Sequence, residues 1–258
     1  MTPYYERDGI TIWLGDCRDI LPTLEADVII TDPPYNCGKN YGEHTDDRLP
    51  WPEWCEWWDG CLELMGQAAP DILAFMSQTA WRKYVRLGRH EPDWTLCWHK
   101  PLALACCALP FMPHWEPIAY WGLTRKKDKA FWGGDVLSHN VTPNIWGHPT
   151  EKPIELMRDL VSRFPFEAVV LDPFMGSGTT ARACKDLGRR FVGIEIEEKY
   201  CEIAVKRLAQ EVLALCRRAA TTDAACAPSP RWGRAPWGST RSAPRLSRAT
   251  SHARRAVY

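Results

Sequence analysis

At 258 residues with 45% hydrophobic side chains, the chain is long enough for one large α/β domain with a full core. Its formal net charge is zero, but nine arginines against one aspartate from Arg217 onward leave the preceding body with a matching acidic excess. Overall charge therefore gives no support to nucleic-acid binding, and any DNA surface must be a local patch or the tail. No basic stretch followed by an apolar one opens the chain, which speaks against a signal peptide. No apolar run nears about 18 residues, which speaks against a membrane span. Eleven scattered cysteines without a C-x-x-C pair read as reduced thiols of a cytosolic protein. His99, His114, His139 and His148 do not cluster with them, so no metal site is expected.

In chain order, Ile10–Leu14 reads as a short strand that ends at Gly15-Asp16. Asp27–Thr31 is a β-branched run typical of a strand buried on both faces. It stops at Asp32-Pro33-Pro34 because proline cannot continue a central strand. Residues 36–52 are polar and read as a loop. From Pro52 to Ala68, Trp54, Trp58, Cys61, Leu62 and Met65 fall at helical spacing. The surrounding tryptophans read as a core stripe, with a base or DNA contact as the alternative.

Asp71–Met76, Trp94–Trp98 and Pro117–Trp121 are further strands, and Arg125–Gly147 reads as irregular. Pro153–Phe164 is a helix with proline at its first turn. The strand Ala168–Leu171 is followed by a helix from Gly178 to Leu187, stopped by Gly188. The strand Arg190–Ile194 and a long amphipathic helix from Glu197 to Cys216 complete the body. Such alternation predicts a mostly parallel sheet of seven strands with helices on both faces. The composition divides the chain into a domain over 1–216 and a basic Ala/Arg/Ser/Pro-rich tail over 217–258, which is expected to be disordered.

Asp172-Pro173-Phe174-Met175-Gly176-Ser177-Gly178-Thr179-Thr180 follows a strand and opens a helix. Glycines there let backbone N–H groups approach a ligand at the positive end of the helix dipole. Glu195 ends the next strand, 23 residues after Asp172, where a carboxylate can accept from both hydroxyls of a ribose. The third glycine of a dinucleotide fingerprint is missing, as is a phosphate-binding Lys-Ser/Thr pair. A nucleoside-containing cofactor without a pyrophosphate or triphosphate is implied.

Asp32-Pro33-Pro34-Tyr35 places a carboxylate, a rigid backbone and an aromatic ring just past another strand's carboxyl end, where open α/β sheets bind ligands. With the glycine turn and His148-Pro149-Thr150-Glu151-Lys152-Pro153, it resembles the amino-methylating DNA methyltransferases of the β class. In that class the catalytic motif precedes the cofactor motif. The resemblance covers about residues 8–215 and implies a Rossmann-like, circularly permuted methyltransferase fold with S-adenosylmethionine as cofactor.

On the resemblance, the catalytic group is Asp32, Pro33, Pro34 and Tyr35, and the product is N6-methyladenine made on a base flipped out of duplex DNA. Phe174, Gly176, Ser177, Gly178 and Thr179 would line the cofactor, Asp172 would meet its methionine part and Glu195 its ribose. Asp16 and Cys17 match an adenine-contacting position, and His148, Thr150 and Lys152 would border the methionine end. Cys37 is not needed as a nucleophile.

Asp at the first motif position favours adenine, with N4-cytosine methylation as the alternative; RNA and protein glutamine are less favoured substrates. A non-catalytic nucleic-acid-binding module is the alternative from another class. Candidate recognition segments are Tyr41–Trp58 and Arg125–Gly147, where Arg125, Lys126, Lys127 and Lys129 could meet phosphates. No nuclease motif is present, so a stand-alone modification enzyme is expected, in the cytoplasm of a bacterial or phage-infected cell. The sequence leaves monomer or homodimer open.

Overall fold

The computed structural model of the protein describes residues 2–38, 47–102, 113–122, 133–141 and 151–210. Its nine strands are β1 (Tyr5–Arg7), β2 (Ile10–Leu14), β3 (Val28–Thr31), β4 (Ile72–Phe75), β5 (Trp94–His99), β6 (Trp115–Trp121), β7 (Val136–Ser138), β8 (Val169–Asp172) and β9 (Arg190–Glu195). The helices are α1 (Cys17–Ile20), α2 (Trp51–Ala68), α3 (Gln78–Leu87), α4 (Ile154–Ser162), α5 (Thr179–Asp186) and α6 (Glu198–Ala209). All strands join one sheet in the order β1-β2-β9-β8-β3-β4-β6-β5-β7.

The seven expected strands are all present, but the expected strand number is corrected to nine. The additions, β1 and β7, are three-residue edge strands, mostly solvent-facing, too short for alternation to announce them. The second also corrects part of the segment read as irregular. Helix α3 was not anticipated either. Only Ala80 and Tyr84 are buried in it, so its sequence carries little apolar stripe. Its start was marked by Ser77, whose hydroxyl accepts from the Ala80 N–H at 3.1 Å.

The centre of the sheet explains the placement of the site. Val28, Ile29, Ile30 and Thr31 of β3 are all 0% exposed, so helices cover both faces there. In one helix layer α5 contacts both α4 and α6, and α2 contacts α3 in another. The strands β2, β9, β8, β3 and β4 run parallel to their neighbours in that order. Their carboxyl ends therefore share one rim. Strand β6 is inserted antiparallel between β4 and β5.

Among the described residues, no helix is long and apolar enough to cross a membrane. Residues 211–216 of the domain expected over 1–216 and the whole tail lie outside the described residues, as do His148, Thr150 and the Arg125–Lys129 cluster.

Candidate active site

Reading along the rim, the parallel strands deliver Asp16 after β2, Glu195 at the end of β9, Asp172 at the end of β8 and Asp32 after β3. Four carboxylates from distant parts of the chain thus border one cavity of about 300 Å³. Its wall also includes Cys17, Pro34, Trp54, Trp57, Lys152, Phe174, Gly176, Ser177, Thr179 and Thr180, while Gly178 of the same turn packs against α6 instead. The two motifs of the sequence therefore meet in a shared cleft.

The glycine turn is locally determined. Gly176 and Gly178 have φ of 54° and 78°, a region that suits residues without a side chain. A Cβ on Gly178 would also stand 2.7 Å from the Ala204 Cβ of α6. Glu195 is held from below by the N–H groups of Gly176 (2.8 Å) and Glu197 (2.9 Å). Its burial still pushes its pKa up to about 7, against those hydrogen bonds.

Asp172 is buried and ties the two motifs together. It accepts from Thr31 Oγ1 and Thr180 Oγ1, both at 2.7 Å, and from the Phe174 N–H at 3.2 Å. Burial pushes it up to about 6, with the charge of Asp32 adding to the rise. Ser177 and Thr179 are buried in the turn. The Thr179 hydroxyl accepts from Arg207, which pairs with Glu151 at 2.7 Å.

At the adjoining end, Asp16 caps α1 and binds the Arg18 guanidinium, which holds its carboxyl below the usual range. Cys17 is buried, and its hydrogen bond with Cys61, followed by burial, pushes its thiol up. It is therefore a packing thiol rather than a nucleophile.

The Asp32–Tyr35 segment is held from far away. Trp54 Nε1 donates to the Pro34 carbonyl at 3.1 Å. Asp47 accepts the N–H groups of Asn36 (2.5 Å) and Cys37 (2.9 Å), and Asn36 Nδ2 donates to the Leu49 carbonyl at 2.7 Å. Tyr35 donates through its hydroxyl to Asp32 Oδ1. Its side chain does not form part of the cavity wall, and the residue is only 7% exposed. The ring expected to stack on a base is thus packed inward here.

Trp54 and Trp58 are core residues, 2% and 0% exposed, as the stripe predicted. Trp57 reaches the cofactor turn, with its ring centroid 5.8 Å from that of Phe174. Sequence reasoning missed Asp47, the Trp54 indole N–H and the Glu151–Arg207 pair as parts of the site. Only Glu151, inside the His148–Pro153 motif, carried a signal. Among the described residues, no cluster of His, Cys, Asp and Glu could hold a metal ion.

A nucleoside with a short charged arm fits these residues. It needs a hydroxyl acceptor, a backbone turn free of side chains and an aromatic wall, which Glu195, Gly176–Gly178 and Trp57 with Phe174 provide. A doubly wound sheet with one antiparallel strand inserted near its edge, and a cleft at the carboxyl rim, defines the class: an S-adenosylmethionine-dependent methyltransferase fold. Comparisons with known proteins make the assignment narrower.

The N6/N4 DNA methylase family matches residues 112–206. The type II methyltransferase M.HinfI of Haemophilus influenzae is 47% identical over 245 residues, covering 77% of this chain and 68% of that protein. Among solved structures, the cytosine-N4-specific PvuII DNA methyltransferase has a TM-score of 0.65 at 14% identity, covering 82% of this chain and 90% of that one. The complex of M1.HpyAVI with SAM has a TM-score of 0.55 at 26% identity, covering 78% and 100%. The chain belongs to the N6/N4 DNA methylase family.

Proposed function

We propose that this DNA methyltransferase uses S-adenosylmethionine to methylate N6 of an adenine turned out of duplex DNA at a specific site. The observation that carries the reading is the joint presence of Asp32, Pro34, Glu195, Gly176 and Ser177 around one cleft. When bound, S-adenosylmethionine supplies an electrophilic methyl group on a sulfonium.

The chain's own residues supply position and charge. An exocyclic amino nitrogen is a poor nucleophile because its lone pair is delocalised into the ring. Asp32 accepts one of its N–H groups and the Pro33 carbonyl the other, so that the lone pair turns out of the ring plane. Proline at 33 and 34 stiffens that backbone, and Trp54 fixes the next carbonyl. Glu195 takes the ribose hydroxyls, Phe174 and the Gly176–Thr179 turn hold the donor, and Asp16 and Cys17 border its adenine. His148 and Thr150 belong to the methionine end. Asp172 ties Thr31 to Thr180 and borders the methionine part of the donor from the cavity wall. Tyr35 stacks on the extruded base after leaving its inward position.

The test is to incubate the full chain with methyl-labelled cofactor and duplex DNA, digest, and identify the labelled nucleoside. N6-methyladenine supports the proposal. N4-methylcytosine would replace its base specificity, and cofactor binding without transfer would make the protein a binding module. We propose further that 1–216 is the methyltransferase domain and 217–258 a dispensable basic tail.

A further inference from the structure

Two side chains close on Asp32 from different parts of the chain. Lys152, just before the start of α4, has a side chain only 7% exposed. Its Nζ lies 2.5 Å from Asp32 Oδ2 and 3.0 Å from Tyr35 Oη. The Tyr35 hydroxyl in turn donates to Asp32 Oδ1. The ammonium also sits 5.2 Å from the Tyr35 ring centroid and 5.0 Å from that of Phe75. Lysine, tyrosine and aspartate thus form a closed polar triangle against aromatic faces.

A buried ammonium is costly unless it is paired, and the partner of Lys152 is the carboxylate that must accept from the target amino group. The charged and titratable groups facing Asp32 come from three elements: Lys152 ahead of α4, Tyr35 in its own loop, and Asp172 at the end of β8. Asp172, when ionised, opposes a second negative charge nearby, and Lys152 answers it. A flexible carboxylate would lose its aim by rotation about its side-chain bonds, and Lys152 holds Oδ2 whether or not Tyr35 has turned towards the base.

We infer that Lys152 is a positioning residue for the transfer reaction, keeping the Asp32 carboxylate aimed at the target amino group rather than holding the methyl donor. This rests on the proposed role of Asp32.

The experiment uses the full-length chain as wild type, Lys152→Met and Lys152→Arg. Calorimetry gives the affinity for S-adenosylhomocysteine, and single-turnover methylation of duplex DNA is followed at saturating cofactor. Lys152→Met should slow transfer about a hundredfold. Its S-adenosylhomocysteine affinity should stay within about threefold of wild type. Lys152→Arg, which restores the charged donor, should recover transfer to within about tenfold of wild type.

Transfer by Lys152→Arg as slow as by Lys152→Met would overturn the inference, as would a drop in S-adenosylhomocysteine affinity beyond about tenfold. If Lys152→Met does not fold, the charge-free pair Asp32→Asn/Lys152→Met decides. Affinity equal to that of Asp32→Asn supports the inference, and weaker affinity overturns it. A wild type that binds S-adenosylhomocysteine yet never methylates DNA would instead overturn the proposed function, and this inference with it.

Discussion

The two halves of the cleft are built in opposite ways. The centre of the cofactor half comes from one short stretch: the turn after β8, the end of β9 and the first residues beyond it, with Asp16, Cys17 and Trp57 added at its border. Glu195 is bound by Gly176 and Glu197, and Asp172 by Thr180 and Phe174. The Asp32–Tyr35 half is held by Asp47, Trp54 and Lys152, the last of them 120 positions away. Local construction makes the first half rigid before any ligand arrives. Remote construction makes the second depend on the whole sheet being in register.

That contrast can be broken most decisively at Asp32. Asp32→Ala should lower the transfer rate by about 10²-fold or more, while cofactor affinity measured by calorimetry changes little. Near-normal turnover would show that the second half does not perform the chemistry.

Glu195 tests the first half. Glu195→Gln should weaken cofactor binding by roughly ten- to a hundredfold. In the wild type, affinity should fall as pH drops below about 7, by up to about tenfold per unit, because the ribose hydroxyls favour the carboxylate form. Stability of the ligand-free protein should run the other way. A carboxyl with a raised folded pKa binds more protons when folded, so burial costs less as pH falls from about 7 towards its ordinary range. Thermal melts with and without cofactor across pH separate the two trends, and Glu195→Gln should flatten both.

The seam between the halves is Thr31 to Asp172. Thr31→Val removes a donor from a buried carboxylate and should cost about 1–3 kcal/mol in denaturant melts. The loss should be larger above about pH 6, where Asp172 is ionised. The smallest effect belongs to the tail: ending the chain after Cys216 should leave the melting temperature and cofactor affinity unchanged, with weaker low-salt DNA binding as the expected residue of an electrostatic contribution.

The same contrast explains what could be read from the residues alone. Seven strands were legible because buried parallel strands are written as continuous apolar runs, as in Val28–Ile30. The glycine turn was legible because its parts lie within a few residues of one another. Asp47 and the Trp54 indole N–H were not, because a hydrogen bond across a loop and a helix leaves no periodic mark. Lys152 was found in a motif, but its contact with Asp32 was not legible, since nothing in its neighbours announces Asp32. Helix α3 was hidden for a different reason: with two buried residues, its sequence resembles exposed loop.

The parallel neighbours β3 and β8 carry a consequence for how this polypeptide can be rewired. Both strands enter the rim from the same side, so the chemistry is indifferent to which is synthesised first. Strand β1 pairs with β2, and α6 packs against β2, which brings the first and last described elements side by side. Splicing those ends and opening new termini between β6 and β7 would yield a protein whose donor turn is translated ahead of Asp32, yet whose cleft is unchanged.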